Sequence, residues 1–191
     1  MSDGIMATTG SSKPREIVPH GTHIARCYSM VHIGTIEWEY MGDKKYSDKV
    51  RISFELPHEM REWGEDKFES PMSISKEYTL SMHEKSNLRK DLESWRGKSF
   101  NDNELPFDVT QLIGKCCNLS VIHKSNKSGN EYAYIGGISS LTKGTECPEQ
   151  FNPSFIFNYE NNFDEQWVDN QPDWIQEQIK STPEYFKKMK G

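Results

Sequence analysis

The sequence predicts a mainly β protein, a five-stranded barrel with one helix between its third and fourth strands and a partly helical C-terminal tail. Three observations predict it. Runs of β-forming or alternating apolar residues recur between His23 and Leu141, one amphipathic helix with both ends marked follows the third run, and beyond Asn152 the texture changes to interleaved aromatic and acidic residues.

The first run, HIARCYSMVHI at His23–Ile33, is rich in β-formers. The second, Val50–Leu56, places Val50, Ile52, Phe54 and Leu56 on one face. The intervening GTIEWEYMGDKKYSD extends both strands or forms a long hairpin tip, with the turn expected at Gly42-Asp43-Lys44-Lys45. His58–Pro71 is polar, charged and bounded by proline, so an exposed loop carrying Trp63 and Phe68 is expected there. A third strand over Ile74–Met82 puts Ile74, Lys76, Tyr78, Leu80 and Met82 on one face.

Ser81 and Glu84 have the spacing of a capping box, and Leu88, Leu92 and Trp95 fall on one helical face before Gly97. Asp108 and Gln111 repeat the box ahead of a short helical turn closed by Gly114. The last two strands, Cys116–Lys124 and Glu131–Leu141, flank the turn SNKSGN as a hairpin, in which Gly136-Gly137 marks a bulge or bend. Helices are expected over Pro172–Lys180 and from Pro183 onward. The organisation is therefore a flexible leader (1–16), a barrel domain (17–150) and an acidic aromatic extension (151–191).

Composition narrows the function. The formal charge is −6, which argues against a whole-surface basic glove for duplex DNA but leaves room for a local groove. No stretch approaches the roughly 20 apolar residues of a spanning helix, and Met1–Pro19 has no signal-peptide core, so a cytoplasmic protein without membrane contact is expected. The four cysteines, Cys27, Cys116, Cys117 and Cys147, lack metal-type pairing and read as reduced thiols. No HExxH, Cys-His ligand pair, G-x-S-x-G or Walker loop occurs, so neither a cofactor nor a catalytic or metal-binding residue is expected.

Three strands, a capped helix and a closing hairpin follow the element order of the OB fold, a partly open Greek-key barrel that binds oligonucleotides and oligosaccharides. In that geometry the binding face lies on strands 2 and 3 and is framed by the first and last hairpin loops. The first loop carries Trp38, Tyr40, Lys44, Lys45, Tyr46 and Lys49; the last carries Lys124 and Lys127, flanked by Tyr132 and Tyr134. The strands add Arg26, Arg51, Lys76 and Tyr78. Single-strand binding needs this mixture, because any base can stack on a ring while cations follow the phosphates. Core packing is the commoner role for a strand aromatic such as Tyr78, and Glu37, Glu39, Asp43 and Asp48 interrupt the first cluster.

GTHIARC at Gly21–Cys27, Ile33-Gly34, KVRISFELP at Lys49–Pro57, SKEYTLSMHEKSNLRKDLESWRGKSF at Ser75–Phe100 and FDVTQLIGKCCNLSVIH at Phe107–His123 together resemble a family of bacteriophage single-stranded DNA-binding proteins. The most specific block is the helix ending in Trp95-Arg96-Gly97, followed by Phe107-Asp108 and Leu112–Lys115. The resemblance implies an OB-fold protein that protects single-stranded DNA during phage replication or recombination, with no catalytic residue. It also implies a tail, residues 152–191, that recruits replication or recombination proteins or competes with DNA; packing of the tail rings onto the barrel or a second subunit is the plainer role, and a homo-oligomer stays open. Two other classes remain: a phage adaptor or inhibitor that grips another protein, which the net charge favours, and a metal-dependent nuclease built on Glu37, Glu39, Asp43 and Asp48.

Overall fold

A computed structural model describes residues 16–191. The expected leader therefore lies outside the described residues, except for Glu16, whose carboxylate accepts from the Arg61 guanidinium at 2.6 Å.

Five antiparallel strands, β1 (Gly21–Tyr40), β2 (Asp43–Trp63), β3 (Phe68–Thr79), β4 (Cys116–Ser125) and β5 (Glu131–Ser139), curl into a half-barrel ordered β3-β2-β1-β4-β5, with β3 and β5 as edges. Helix α1 (Asn87–Arg96) follows β3 in the chain and packs Leu88, Leu92 and Trp95 into the same core as Ile52, Phe54, Leu119 and Ile135. Trp95 packs on Phe54 with ring centroids 5.6 Å apart, and its indole N–H donates to the Cys116 carbonyl at 2.8 Å. The cap differs from expectation: Ser86, rather than Ser81, accepts from the Arg89 amide, and Gly97 ends the helix in the left-handed region at φ 72°.

The strands run further than alternation predicts. His58–Pro71 is a hairpin, not a loop: the β2–β3 ladder continues from Met60↔Pro71 to Trp63↔Phe68, with its turn at Gly64–Lys67. Pro57 is tolerated because it falls in the register shift between Leu56 and Met60, where a bulge suspends the ladder that a proline cannot feed. The first hairpin turns at Met41-Gly42, one step earlier than expected, with φ 51° and 83°, as a two-residue turn requires. In β5 the predicted glycine bulge is present, since Ser120 pairs Gly137 and Val121 pairs Ile135, leaving Gly136 out.

Strand β1 carries two cores. Ala25, Cys27 and Met30 lie in the barrel core, whereas Val31 and Ile33 belong to a second cluster. The switch comes from a bulge between Cys27 and Ser29, because one extra residue reverses which parity faces inward. The second cluster is completed by the C-terminal extension: β6 (Phe155–Phe157), α2 (Glu165–Asp169), α3 (Asp173–Lys180) and α4 (Pro183–Lys190). Phe157, Tyr159, Val168, Ile175, Ile179 and Tyr185 pack on Val31 and Ile33, and β6 joins the sheet as a parallel neighbour of Ser29–Val31. The edge of β1 is thus handed from β4, which pairs with Gly21–Arg26, to β6. Gly34 is required where α4 closes on β1, since a Cβ there would come within 2.9 Å of the Glu184 carboxylate and 3.0 Å of Thr182.

Two further groups fasten the connection between the cores. The reduced-thiol expectation is corrected: Cys116 and Cys147 form a disulfide, because the chain after β5 doubles back to the start of β4, while Cys27 and Cys117 stay free and buried. Glu55, on the outer face of β2, is fully buried and accepts from the Phe151 amide (2.9 Å), the Asn152 amide (2.8 Å) and the Asn152 side chain (2.8 Å). A buried carboxylate is tolerable only with such charge-assisted partners. Replacing it by alanine leaves those donors without an acceptor. Glu55→Ala should lower the urea-unfolding free energy by about 2–4 kcal/mol, and a loss below about 1 kcal/mol would show that the segment around Phe151 and Asn152 is held by other contacts.

Candidate nucleic-acid interface

A cleft of about 1320 Å³ opens where the β2–β3 hairpin, the start of β5 and helix α3 meet. Its floor is the outer face of β2 and β3, with Arg51, Ser73 and Ser75, and its walls include Trp63, Phe68, Tyr132 and Trp174. These four rings are 43%, 62%, 43% and 49% exposed, an unusual concentration of uncovered aromatic surface around one hollow. Each is placed by a backbone device. The hairpin turn brings Trp63 opposite Phe68, Tyr132 stands one residue into β5, and Trp174 sits in the first turn of α3, whose Ile175 and Ile179 anchor it in the second core.

The electrostatics of the cleft are mixed. The Arg51 guanidinium lies 3.2 Å from the Glu77 carboxylate and 4.8 Å from the centroid of the Trp174 ring, so its charge is shared before any ligand arrives. Ser53 and Ser75 share a 2.8 Å hydrogen bond, and Asn130 and Asn152 add amides to the lining. Lys124 pairs in register with Tyr132, and its ammonium lies 3.5 Å from the centroid of Tyr134. Lys127 is exposed in the adjoining turn. The cleft therefore offers flat rings and hydroxyls first, with the paired Arg51 as the cation of its lining.

Several expected contacts are committed elsewhere. The Arg26 guanidinium donates to the carbonyls of Gly114 (2.7 Å) and Pro148 (2.5 Å), which makes it a structural clamp. Tyr78 is buried at 3% exposure with its hydroxyl on Asp91 (2.8 Å), and burial holds its hydroxyl protonated far above the usual range. Lys76 is paired with the same carboxylate at 2.7 Å, facing the barrel interior under α1. Lys49 donates to Thr79 at 2.8 Å. Period-two counting sets Lys76 in the row of Ile74, and the Asp91 carboxylate is what lets a lysine occupy that row.

The remaining residues form a separate cluster on the two-stranded ribbon at the far end of β1. Trp38 faces Lys45 across the ladder, contacts Tyr40 edge-on at 6.2 Å and donates to Ser47 at 2.8 Å. Lys44 and Tyr46 both bond Glu37, at 2.8 and 3.2 Å, and the Lys44 ammonium holds that exposed carboxyl below its usual range. The structure thus brings Arg51 and Tyr132 into the cleft lining, whereas Lys124 and Tyr134 pair with each other outside it, with the Tyr134 ring also 5.7 Å from the Lys76 ammonium. Trp38, Tyr40, Lys44, Lys45 and Tyr46 stay together but beyond the opposite end of β1 from the β4–β5 turn. Trp63, Phe68 and Trp174 were outside the expected set; the available signal was large rings in a segment too polar to bury them.

Among the described residues, no group of three or more His, Cys, Asp or Glu is placed to hold a metal ion, and no helix is long and apolar enough to cross a membrane. The chain matches no protein-family model and no curated protein.

One titratable pair lies beside the ribbon. His32 bonds Asp48 at 2.7 Å, and that bond raises the imidazole above its ordinary 6.5 against the opposing effect of burial, with Glu184 and Glu160 adding to the rise. A folded value above the unfolded one stabilises the protein fully below pH 6.5, and the contribution fades as pH rises through the folded value. The difference in urea midpoint between wild type and His32→Gln should accordingly be largest at mildly acidic pH and shrink toward pH ~8; a difference that grows with pH would reverse the assignment.

Proposed function

We propose that this protein is a non-enzymatic, sequence-tolerant binder of single-stranded DNA, of OB-fold type, that protects the strand during phage replication or recombination in the host cytoplasm. The observation that carries the reading is the ring-lined cleft on the outer face of β2 and β3. Large aromatic surfaces left in water around one hollow are what unpaired bases stack on, at about 1–3 kcal/mol per base. Element order supports the same reading: β1 pairs with both β2 and β4, and a capped helix precedes β4. The resemblance of the Gly21–His123 blocks to phage single-strand binders agrees with it.

The charge pattern favours a second reading, an adaptor that grips another protein. Arg51 is already paired with Glu77, and the chain carries a net −6. Stacking without many phosphate contacts makes a distinctive prediction for the first reading. Titration with poly(dT) should quench tryptophan fluorescence, and log affinity should fall with log salt at a slope of only about −1 to −2, given roughly −0.7 for each phosphate neutralised. Trp63→Ala and Tyr132→Ala should each weaken binding about 5- to 150-fold, the equivalent of ~1–3 kcal/mol. Absence of quenching with any single strand would leave the adaptor reading.

A further inference from the structure

Ser140–Phe151 carries the chain from β5 to β6 without a helix or strand of its own. Beyond its start at Ser140, which is bonded to Ser94 and Asn118, three groups fasten it. The Arg26 guanidinium takes the Pro148 carbonyl, the Glu55 carboxylate takes the amides of Phe151 and Asn152, and Cys147 is bonded to Cys116. Hydrogen bonds to a buried carboxylate do not depend on the redox state of the surroundings. The third tether depends on the thiols around it.

The cysteines divide into two kinds. Cys116 and Cys147 are half-buried, within reach of a small thiol, while Cys27 and Cys117 are buried. Burial pushes the Cys27 thiol up to about 12 and the Cys117 thiol higher still, so neither supplies a thiolate at neutral pH. The disulfide is therefore insulated from exchange with its own neighbours, although Cys117 is adjacent in sequence. Partners for exchange come from solution.

We infer that Cys116–Cys147 is a reversible redox clasp on the strap Ser140–Phe151, fastened when oxidised and released when reduced. In the opening step a thiolate of a small dithiol attacks one sulfur, the Sγ–Sγ bond breaks and the departing cysteine thiolate takes a proton from water. The second thiol of the reagent then displaces the other cysteine, so the protein gains two electrons and two protons and the reagent becomes a cyclic disulfide. Glutathione disulfide drives the reverse reaction. Because the strap runs into Asn152 and the extension that bears Trp174, both on the cleft wall, its release loosens that wall; this last consequence rests on the proposed function of the cleft.

The test uses the full chain treated with either glutathione disulfide or dithiothreitol. Peptide mapping of the oxidised form should show a Cys116–Cys147 cross-link with Cys27 and Cys117 unmodified by alkylation in the native state. Tryptic cleavage after Lys143, an exposed site in the strap, should be about tenfold faster once the bond is reduced, tracking the open population. Cys147→Ser and Cys116→Ser should show the fast rate under both conditions. No cross-link with glutathione disulfide, or equal cleavage rates in the two forms, overturns the clasp. Neither readout involves nucleic acid, so both stand if the cleft reading fails. Where poly(dT) binds, equal affinity of the oxidised and reduced forms overturns the link to the cleft alone.

Discussion

The bulge between Cys27 and Ser29 is the constraint on which the architecture depends. A regular strand can bury one face in one core, because its side chains alternate with a fixed period. By inserting one residue, β1 gives its early odd positions to the barrel and its later ones to a second cluster, while Met30 keeps the barrel core continuous. Without that reversal Val31 and Ile33 would compete for the barrel interior, and the rings of the extension would have no apolar surface to cover. The single strand is then a shared wall, and the two cores stand or fall on its register.

The extension is tied to that wall by polar as well as apolar means. Tyr159 donates its hydroxyl to the Ile33 carbonyl at 2.7 Å, and Glu184 accepts from the Thr35 amide at 3.0 Å and from its hydroxyl at 2.6 Å. These contacts satisfy backbone groups of β1 beyond the point where β4 has left it and β6 has ended. Packing of the tail onto the barrel, the plainer of the roles its aromatic composition suggested, is what Phe157, Tyr159 and Tyr185 do, while Trp174, like Phe151 and Phe186, stays at the surface. Hence the helix that completes the second core also supplies one wall of the cleft.

How much of this was legible in the sequence varies with the kind of signal. The α1 face of Leu88, Leu92 and Trp95, the inward row of Val50, Ile52, Phe54 and Leu56, the Gly136 bulge and the start of α4 at Pro183 all follow from local periodicity or backbone chemistry. The β2–β3 hairpin was hidden, because Pro57 and a run of charges read as loop until a bulge accommodates them. The disulfide and the Glu55 clamp were hidden for a different reason: both join residues far apart in the chain, Cys116 to Cys147 and Glu55 to Asn152, and no local pattern encodes that meeting. Of the site, Tyr132 and Arg51 were readable as a ring and a cation on the expected face. Alternation did set Tyr78 and Lys76 in the apolar row, apart from Arg51, but the partner that holds them there, Asp91, lies on another element and was not readable.

Leaving β3 and β5 as the two rims of an unclosed sheet has a consequence for solubility. Such rims expose unpaired amides and carbonyls that can recruit an identical rim from a neighbouring molecule and propagate into fibrils. The β3 rim is poor material for that growth, because Pro71 cannot donate there and Glu69 and Glu77 place like charges along it. The β3 rim is thereby kept from becoming a template for the protein's own aggregation.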